Sequence, residues 1–167
     1  MSRAGLAHHR SGGGEIQRSL STLPPELMGV SQLRMWRGWQ RVERAVDVVS
    51  PFPPDAAQTQ LIPEMQPTPG EVVIDKITMS AFEGTWLDIA LRDCGITAVA
   101  IIGVAIEIGV EPTVRHAADL GYLPIVITDA CGGGDEEAAD RSLTALRFAG
   151  DALLTTAEEF RSVLAPG

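Results

Sequence analysis

The chain has 167 residues, 45% of them hydrophobic, which is enough for one globular domain with a buried core. Its net charge of −9 disfavours nucleic acid as a partner, and no apolar run is long enough to cross a bilayer. Residues 1–20 have no uninterrupted apolar stretch, so a secretory signal is not expected. Two cysteines without an export signal favour reduced thiols, so we expect a cytoplasmic protein that does not bind membranes.

The composition of residues 1–60 is more typical of an irregular leader than of a folded core. Glycines and prolines interrupt them repeatedly. Only residues 32–49 have the pattern of a helix or short strand, with Met35, Trp36 and Trp39 as packing residues, although Leu6 and Ala7 could end a strand. We therefore divide the chain into an irregular leader or partial domain start, residues 1–60, and an α/β domain, residues 61–167.

From residue 71 onwards, apolar strands alternate with amphipathic helices. The predicted strands cover residues 71–74, 97–102, 123–128 and 152–154. The predicted helices cover residues 85–94, 110–120 and 136–149, and a last helix follows residue 156. This alternation predicts a parallel sheet with right-handed crossovers and helices on both faces.

Several of the predicted helix ends have recognisable signals. Thr85 and Asp88 have the spacing of a capping box for the first helix, and Thr156 and Glu159 have the same spacing before the last one. Gly95 is placed to end the first helix. These signals predict where the elements begin and end.

Two segments carry a family resemblance. Residues 103–122, GVAIEIGVEPTVRHAADLGY, open a helix at the carboxyl end of a strand, where open α/β sheets bind ligands. Residues 75–88, DKITMSAFEGTWLD, place a lysine just past another strand. Together they resemble the isochorismatase-like hydrolases, also called the cysteine hydrolase superfamily. The resemblance implies a three-layer Rossmann-like fold and hydrolysis of a small metabolite.

The lysine segment contributes the first group of candidate site residues. By the resemblance, Lys76 is the catalytic-centre lysine, whereas its spacing alone favours a surface lysine at a strand end. Ser80, Phe82 and Trp86 are implied to line the substrate pocket.

The second segment contributes the backbone of the site. In the family the bond matching Val104–Ala105 is a cis peptide that directs backbone N–H groups into the site. We expect the amides near Ala105 and Gly109 to point outward and to bind a carboxylate or an oxyanion. The alternative is an ordinary turn between a strand and a helix.

Gly109 matches the position of the family's nucleophilic cysteine. Because glycine has no side chain to attack a carbonyl, the thioester route to amide hydrolysis is closed. Cys94 and Cys131 do not match that position. The pair Ile108 and Gly109 resembles the subgroup that cleaves a vinyl ether by protonation from an aspartic acid.

The family's catalytic aspartate has no counterpart in the amino-terminal part of the chain. Residues 1–70 contain two aspartates, Asp47 and Asp55, and neither ends an apolar strand. We therefore expect the first strand to be missing, either because the recorded start lies downstream of the true one or because the gene is a remnant. Glu107 is an alternative acid, although acidic residues at a helix start are also favoured by the helix dipole.

The three histidines do not suggest a metal site. His8 and His9 lack the ligand spacing of the zinc-binding nicotinamidases, and His116 is predicted at a solvated or core-edge position of a helix. We predict no metal and no cofactor.

Three interpretations of the function remain open. The first is a homo-oligomeric hydrolase of a carboxylate- or carbonyl-bearing metabolite, which cleaves a vinyl ether or a C–N bond by acid–base catalysis. The second is a catalytically inactive homologue or fragment that binds a small molecule or a partner subunit. The third is a chain that does not fold stably by itself, because a missing central strand leaves sheet edges free to pair wrongly.

Overall fold

The computed structural model describes residues 3–7, 14–19, 29–49, 57, 60–61 and 63–164. In this part of the chain the strands are β1 (Arg3–Ala7), β2 (Gly14–Ser19), β3 (Val72–Lys76), β4 (Ala98–Val104), β5 (Leu123–Gly132) and β6 (Leu153–Thr155). The α-helices are α1 (Val30–Gln40), α2 (Leu87–Asp93), α3 (Glu111–Asp119), α4 (Glu136–Ala149) and α5 (Ala157–Leu164). A π-helical turn, Ile106–Val110, leads directly into α3.

The described strands form one sheet in the order β3-β2-β1-β4-β5-β6. β2 is parallel to β3, and β4, β5 and β6 are parallel to one another. The predicted α/β architecture with a parallel sheet is therefore confirmed. The carboxyl ends of β3, β4 and β5 lie at the same edge of this sheet.

Strand β1 is the exception to the parallel arrangement. It lies between β2 and β4 and runs antiparallel to both. Only residues 8–13 join β1 to β2, which is shorter than the crossover that parallel neighbours require. The predicted absence of the family's first strand stays a prediction, as does the division at residue 60.

The predicted capping box of α2 is wrong, and the helix begins at Leu87 instead of residue 85. Thr85 does accept a hydrogen bond from the Leu87 amide, at 3.3 Å, but Asp88 does not return to the Thr85 amide. Its carboxylate instead accepts bonds from Arg92 Nε at 2.9 Å and from the Tyr122 hydroxyl at 2.9 Å. The guanidinium of Arg92, one turn further along α2, and the hydroxyl of Tyr122, just before β5, bind the Asp88 carboxylate in place of the Thr85 amide.

The last two helices follow their local signals closely. α4 occupies the predicted range and is capped by the Asp135 side chain, which accepts a bond from the Ala138 amide at 2.9 Å. At the start of α5, the Glu159 amide donates to Thr156 Oγ1 at 3.3 Å and the Thr156 amide donates to Glu159 Oε2 at 3.0 Å. The predicted capping box of α5 is confirmed.

Strand β5 is longer than the apolar run that predicted it. It continues to Gly132 because its second half still pairs with β4, after a shift of register between Ile101 and Gly103. Beyond the shift, Val104 lies opposite Gly132. The end of β5 thus reaches the segment that opens the π-helical turn.

A single main core packs between the sheet and the helices. Its fully buried members include side chains from α2, β4, the π-helical turn, α3, β5 and α4, namely Leu87, Ile101, Val110, Val114, Val126 and Leu146. A smaller cluster around Trp36 and Val48 covers part of residues 29–49, and Trp39 contacts Trp36 edge-on at 5.0 Å between ring centroids. None of the helices in the described part of the chain is long and apolar enough to span a membrane.

Candidate active site

The candidate site lies where the segment after β3 meets the start of α3. The Ala81 amide donates to Thr113 Oγ1 at 2.9 Å, and this hydroxyl donates to the Gly109 carbonyl at 2.7 Å. Thr113 is fully buried. It therefore ties the lysine segment to the turn that holds the family's nucleophile position.

Lys76 ends β3 with its side chain buried and only 3% exposed. Its ammonium donates to the carbonyls of Thr78 at 2.7 Å and Met79 at 2.9 Å, and it forms no ion pair with any carboxylate among the described residues. Burial without a charged partner lowers the pKa of Lys76 from 10.5 to about 8. Lys76 is therefore not a surface lysine.

The backbone around Gly109 differs from the expectation. The Val104–Ala105 bond is cis, as the resemblance implied. The amides of Ile108, Gly109 and Val110, however, converge on the Ala105 carbonyl at 3.2, 2.8 and 3.2 Å. The expectation that these amides point outward is wrong, because the π-helical turn closes them onto one carbonyl.

Ser80 is held from two sides. Its hydroxyl lies 2.9 Å from His116 Nδ1 and accepts a bond from the Phe82 amide at 3.2 Å. Ser80 was predicted to line the pocket, whereas its contact with His116 was not predicted. His116 lies on α3 one turn beyond Thr113, and this spacing could have indicated the contact with Ser80.

The two aromatic candidates have different environments. Phe82 is buried, stacks on Tyr122 at 5.7 Å between ring centroids and lies 5.6 Å from the His116 ring. Trp86, just ahead of α2, is about half exposed. Phe82 therefore contributes to the core, and a pocket-lining role for either ring stays a prediction.

Glu107 belongs to the π-helical turn and reaches the loop between β5 and α4. Its Oε1 accepts bonds from the Gly134 amide at 2.7 Å and the Asp135 amide at 3.0 Å. Its Oε2 is buried and has no hydrogen-bond partner among the described residues. Sequence reasoning did not connect Glu107 with this glycine-rich loop.

The cysteines remain apart from the nucleophile position. Cys131 lies in β5 with its Sγ 3.9 Å from the Ile101 carbonyl, and burial raises the pKa of its thiol. Cys94 is exposed at the end of α2. A raised pKa disfavours the thiolate, the form that acts as a nucleophile.

Metal-ligating side chains do not cluster in the described part of the chain. The residues with defined positions contain no group of three or more His, Cys, Asp or Glu side chains that could hold a metal ion. His8 and His9 lie outside the described residues. The absence of a metal and of a cofactor stays a prediction.

Comparison with known proteins adds a family match. A family model described as the isochorismatase domain matches residues 28–158. The uncharacterised isochorismatase family protein YwoC of Bacillus subtilis (strain 168) is 39% identical over 84 residues, 50% of this chain and 44% of YwoC. Ureidoacrylate amidohydrolase RutB of Pseudomonas savastanoi pv. phaseolicola (strain 1448A / Race 6) is 38% identical over 71 residues, 42% of this chain and 29% of RutB. The chain thus spans less than half the length of these curated relatives.

A solved structure extends the similarity over more of the fold. N-carbamoylsarcosine amidase from Thermoplasma acidophilum has a TM-score of 0.63 and 27% identity to this chain. The superposition covers 84% of this chain and 69% of the amidase.

Proposed function

The chain belongs to the isochorismatase family, and from this premise we propose that it hydrolyses a small carboxylate- or carbonyl-bearing metabolite without a cysteine nucleophile. The bond cleaved is a C–N bond or a vinyl ether. Two similar proteins are named as a ureidoacrylate amidohydrolase and an N-carbamoylsarcosine amidase. Both names refer to a ureido or carbamoyl substrate, which favours a C–N bond as the first candidate for the bond cleaved.

The observation that carries this proposal is the environment of Lys76. An ammonium has three N–H donors, and two of them bind the carbonyls of Thr78 and Met79. Among the residues with defined positions, the third donor has no acceptor, so this donor and the buried positive charge are left for an anion. A substrate carboxylate, or the anionic form of a catalytic carboxyl group, satisfies both.

The remaining candidates take supporting roles in this proposal. Ser80 and Trp86 form a wall of the pocket, Phe82 supports it from the core, and the backbone of Val104 and Ala105 contacts the substrate carbonyl. Because Gly109 offers no nucleophile, water attacks under general acid–base catalysis. Glu107 was the alternative acid, but Oε1 already accepts two amides and Oε2 is enclosed.

A turnover assay with matched variants tests the proposal. We expect the full chain to release ammonia from N-carbamoyl amino acids, or to cleave a carboxylated vinyl ether, above the rate in buffer. Lys76→Met should abolish this activity, whereas Arg161→Met, which removes an exposed positive charge on α5, should not. Equal turnover of wild type and Lys76→Met would contradict the proposal.

A second candidate function is a catalytically inactive homologue that binds a small molecule or a partner subunit. It is favoured by the amides of residues 108–110, which bind the Ala105 carbonyl and are not free to stabilise an oxyanion. Calorimetric binding of a carboxylated ligand that depends on Lys76, without any turnover, would favour this candidate over the hydrolase.

We also propose that the chain forms homo-oligomers through helices flanking the sheet and is located in the cytoplasm. The free cysteines 94 and 131 support a reducing compartment. Sedimentation velocity across a range of protein concentrations would detect the oligomer, and a single species of 17.8 kDa would contradict it.

A further inference from the structure

We infer that Glu107 is a positioning residue, whose carboxylate anchors the loop between β5 and α4 onto the segment that carries the Val104–Ala105 bond and Gly109. This anchored loop, together with Gly132 at the end of β5, covers residues 132–135 and is called the glycine loop below. The inference rests on the proposed function only in treating these segments as parts of one site.

The contacts of Glu107 carry the first step. One oxygen, Oε1, accepts two consecutive backbone amides, from Gly134 at 2.7 Å and from Asp135 at 3.0 Å. Hydrogen bonds from N–H groups to a carboxylate are roughly twice as strong as neutral ones. Asp135 is also the N-cap of α4, whose positive dipole end favours a negative charge at this point. A single side chain thus joins three neighbouring elements.

The glycines of the loop give an independent second step. A Cβ on Gly134 would lie 2.7 Å from Glu107 Oε1, closer than real Cβ contacts. A Cβ on Gly132 would lie 3.1 Å from a Val104 methyl, and one on Gly133 would lie 2.7 Å from the Ala139 methyl. The absence of side chains lets the loop approach the π-helical turn closely enough for the two amides to reach the carboxylate.

The burial of Glu107 Oε2 gives the third step. This oxygen is shielded from solvent and has no donor among the described residues. A carboxylate placed to bind substrate or to exchange protons with water needs a free and accessible oxygen, whereas Oε2 is buried and Oε1 already accepts two amides. Its role is therefore to hold the glycine loop, and it acts on a substrate only through the position of that loop.

Amide hydrogen exchange on the ¹⁵N-labelled full chain tests the inference without any substrate. In Glu107→Ala, we expect exchange at Gly134 and Asp135 to accelerate by about tenfold or more, the scale of one lost charge-assisted hydrogen bond. Added sodium acetate should restore protection, because its carboxylate can refill the vacated space, whereas sodium chloride at the same ionic strength should not. Glu107→Gln keeps an acceptor oxygen and should retain most of the protection.

Two further variants separate anchoring from a general effect on stability. Gly134→Ala keeps the carboxylate but pushes it away, so it should match Glu107→Ala and resist rescue by acetate. Glu137→Ala removes an exposed carboxylate from the first turn of α4 and should leave exchange at Gly134 and Asp135 unchanged. If Glu107→Ala does not fold, the test compares the other two variants. Glu107→Gln should keep the protection of the Gly134 and Asp135 amides, and Gly134→Ala should lose it.

Two results would overturn the inference. One is an amide exchange rate at Gly134 and Asp135 in Glu107→Ala that equals the wild-type rate. The other is a uniform rise of exchange throughout the domain that acetate does not reverse, since that describes a general structural role. If the proposed hydrolase activity is absent, these exchange results still stand, so the two proposals fail separately.

Discussion

At the scale of single residues, Lys76 has the most unusual environment in the described part of the chain. It is the only lysine of the protein, and it lies 97% buried with carbonyl oxygens as its hydrogen-bond partners. Burial disfavours the charged form, which lowers the pKa to about 8. The folded state therefore gives up this proton more readily than the unfolded state does.

This difference in pKa predicts a pH dependence of stability. Between about pH 8 and the unfolded-state pKa of 10.5, the folded chain binds fewer protons than the unfolded chain, so the free energy of unfolding rises with pH. The penalty of the buried charge is fully present below pH 8. Across this window we expect the wild type to gain about 3 kcal/mol relative to Lys76→Met, measured by urea unfolding at each pH.

Because the chain has a single lysine, the same shift can be observed directly. Selective incorporation of ¹³C-labelled lysine labels Lys76 without altering its hydrogen-bond donors, and a ¹³C titration of the folded chain should give the lower pKa. The urea-unfolded chain should return to the ordinary lysine pKa. If the free energy of unfolding changed equally with pH in the wild type and in Lys76→Met, this result would contradict a pKa of Lys76 that is lowered by burial.

At the scale of elements, local capping signals succeed where no stronger partner competes. Thr156 and Glu159 bond each other's amides as their spacing predicts, and the Thr156 amide lowers the pKa of Glu159. The same spacing fails at Thr85 and Asp88, because Arg92 and Tyr122 take the Asp88 carboxylate. A capping box is a weak preference that a nearby charged partner overrides.

The confirmed capping box of α5 predicts how far its removal should lower the free energy of unfolding. Thr156→Ala deletes the oxygen that accepts the Glu159 amide and should lower the free energy of unfolding by about 1 kcal/mol. The measurement is urea unfolding at neutral pH. Thr97→Ala, an exposed threonine ahead of β4, serves as the control and should stay within about 0.5 kcal/mol of the wild type. A loss no larger than that of the control would mean that the α5 cap contributes nothing to stability.

At the scale of the whole molecule, α4 joins the site to the core. Its first residues follow the glycine loop that Glu107 contacts, and its later turns insert Leu146 into the main core, where this side chain is fully buried. Phe148 on the same helix points the other way and is 94% exposed. The position of the glycine loop thus depends on packing that lies more than two turns away along α4.

This arrangement predicts a contrast between two neighbouring large-to-small substitutions. Leu146→Ala leaves a cavity in the main core and should cost about 3 kcal/mol. Phe148→Ala removes an exposed ring and should change stability by less than about 0.5 kcal/mol. Thermal unfolding followed by circular dichroism compares the two, and similar melting temperatures would contradict the assigned core.

The sequence by itself determined the alternation of strands and helices, the bounds of α4, the cap of α5 and the region where the site lies. These features depend on periodicity and on contacts within a turn or two, which are present in any local stretch of residues. The family resemblance added the cis bond at Val104–Ala105, which is confirmed, and a catalytic role of Lys76, which stays a prediction.

Only the tertiary structure decided the partners of the site residues. Ser80 meets His116 across 36 positions, Ala81 meets Thr113 across 32, and Glu107 meets Gly134 across 27. The local residue pattern likewise did not predict the hydrogen bond from the Gly109 amide to the Ala105 carbonyl or the antiparallel direction of β1. The physical reason is that a residue's type and spacing specify which bonds it can make, whereas the packing of distant elements selects the partner that is within reach.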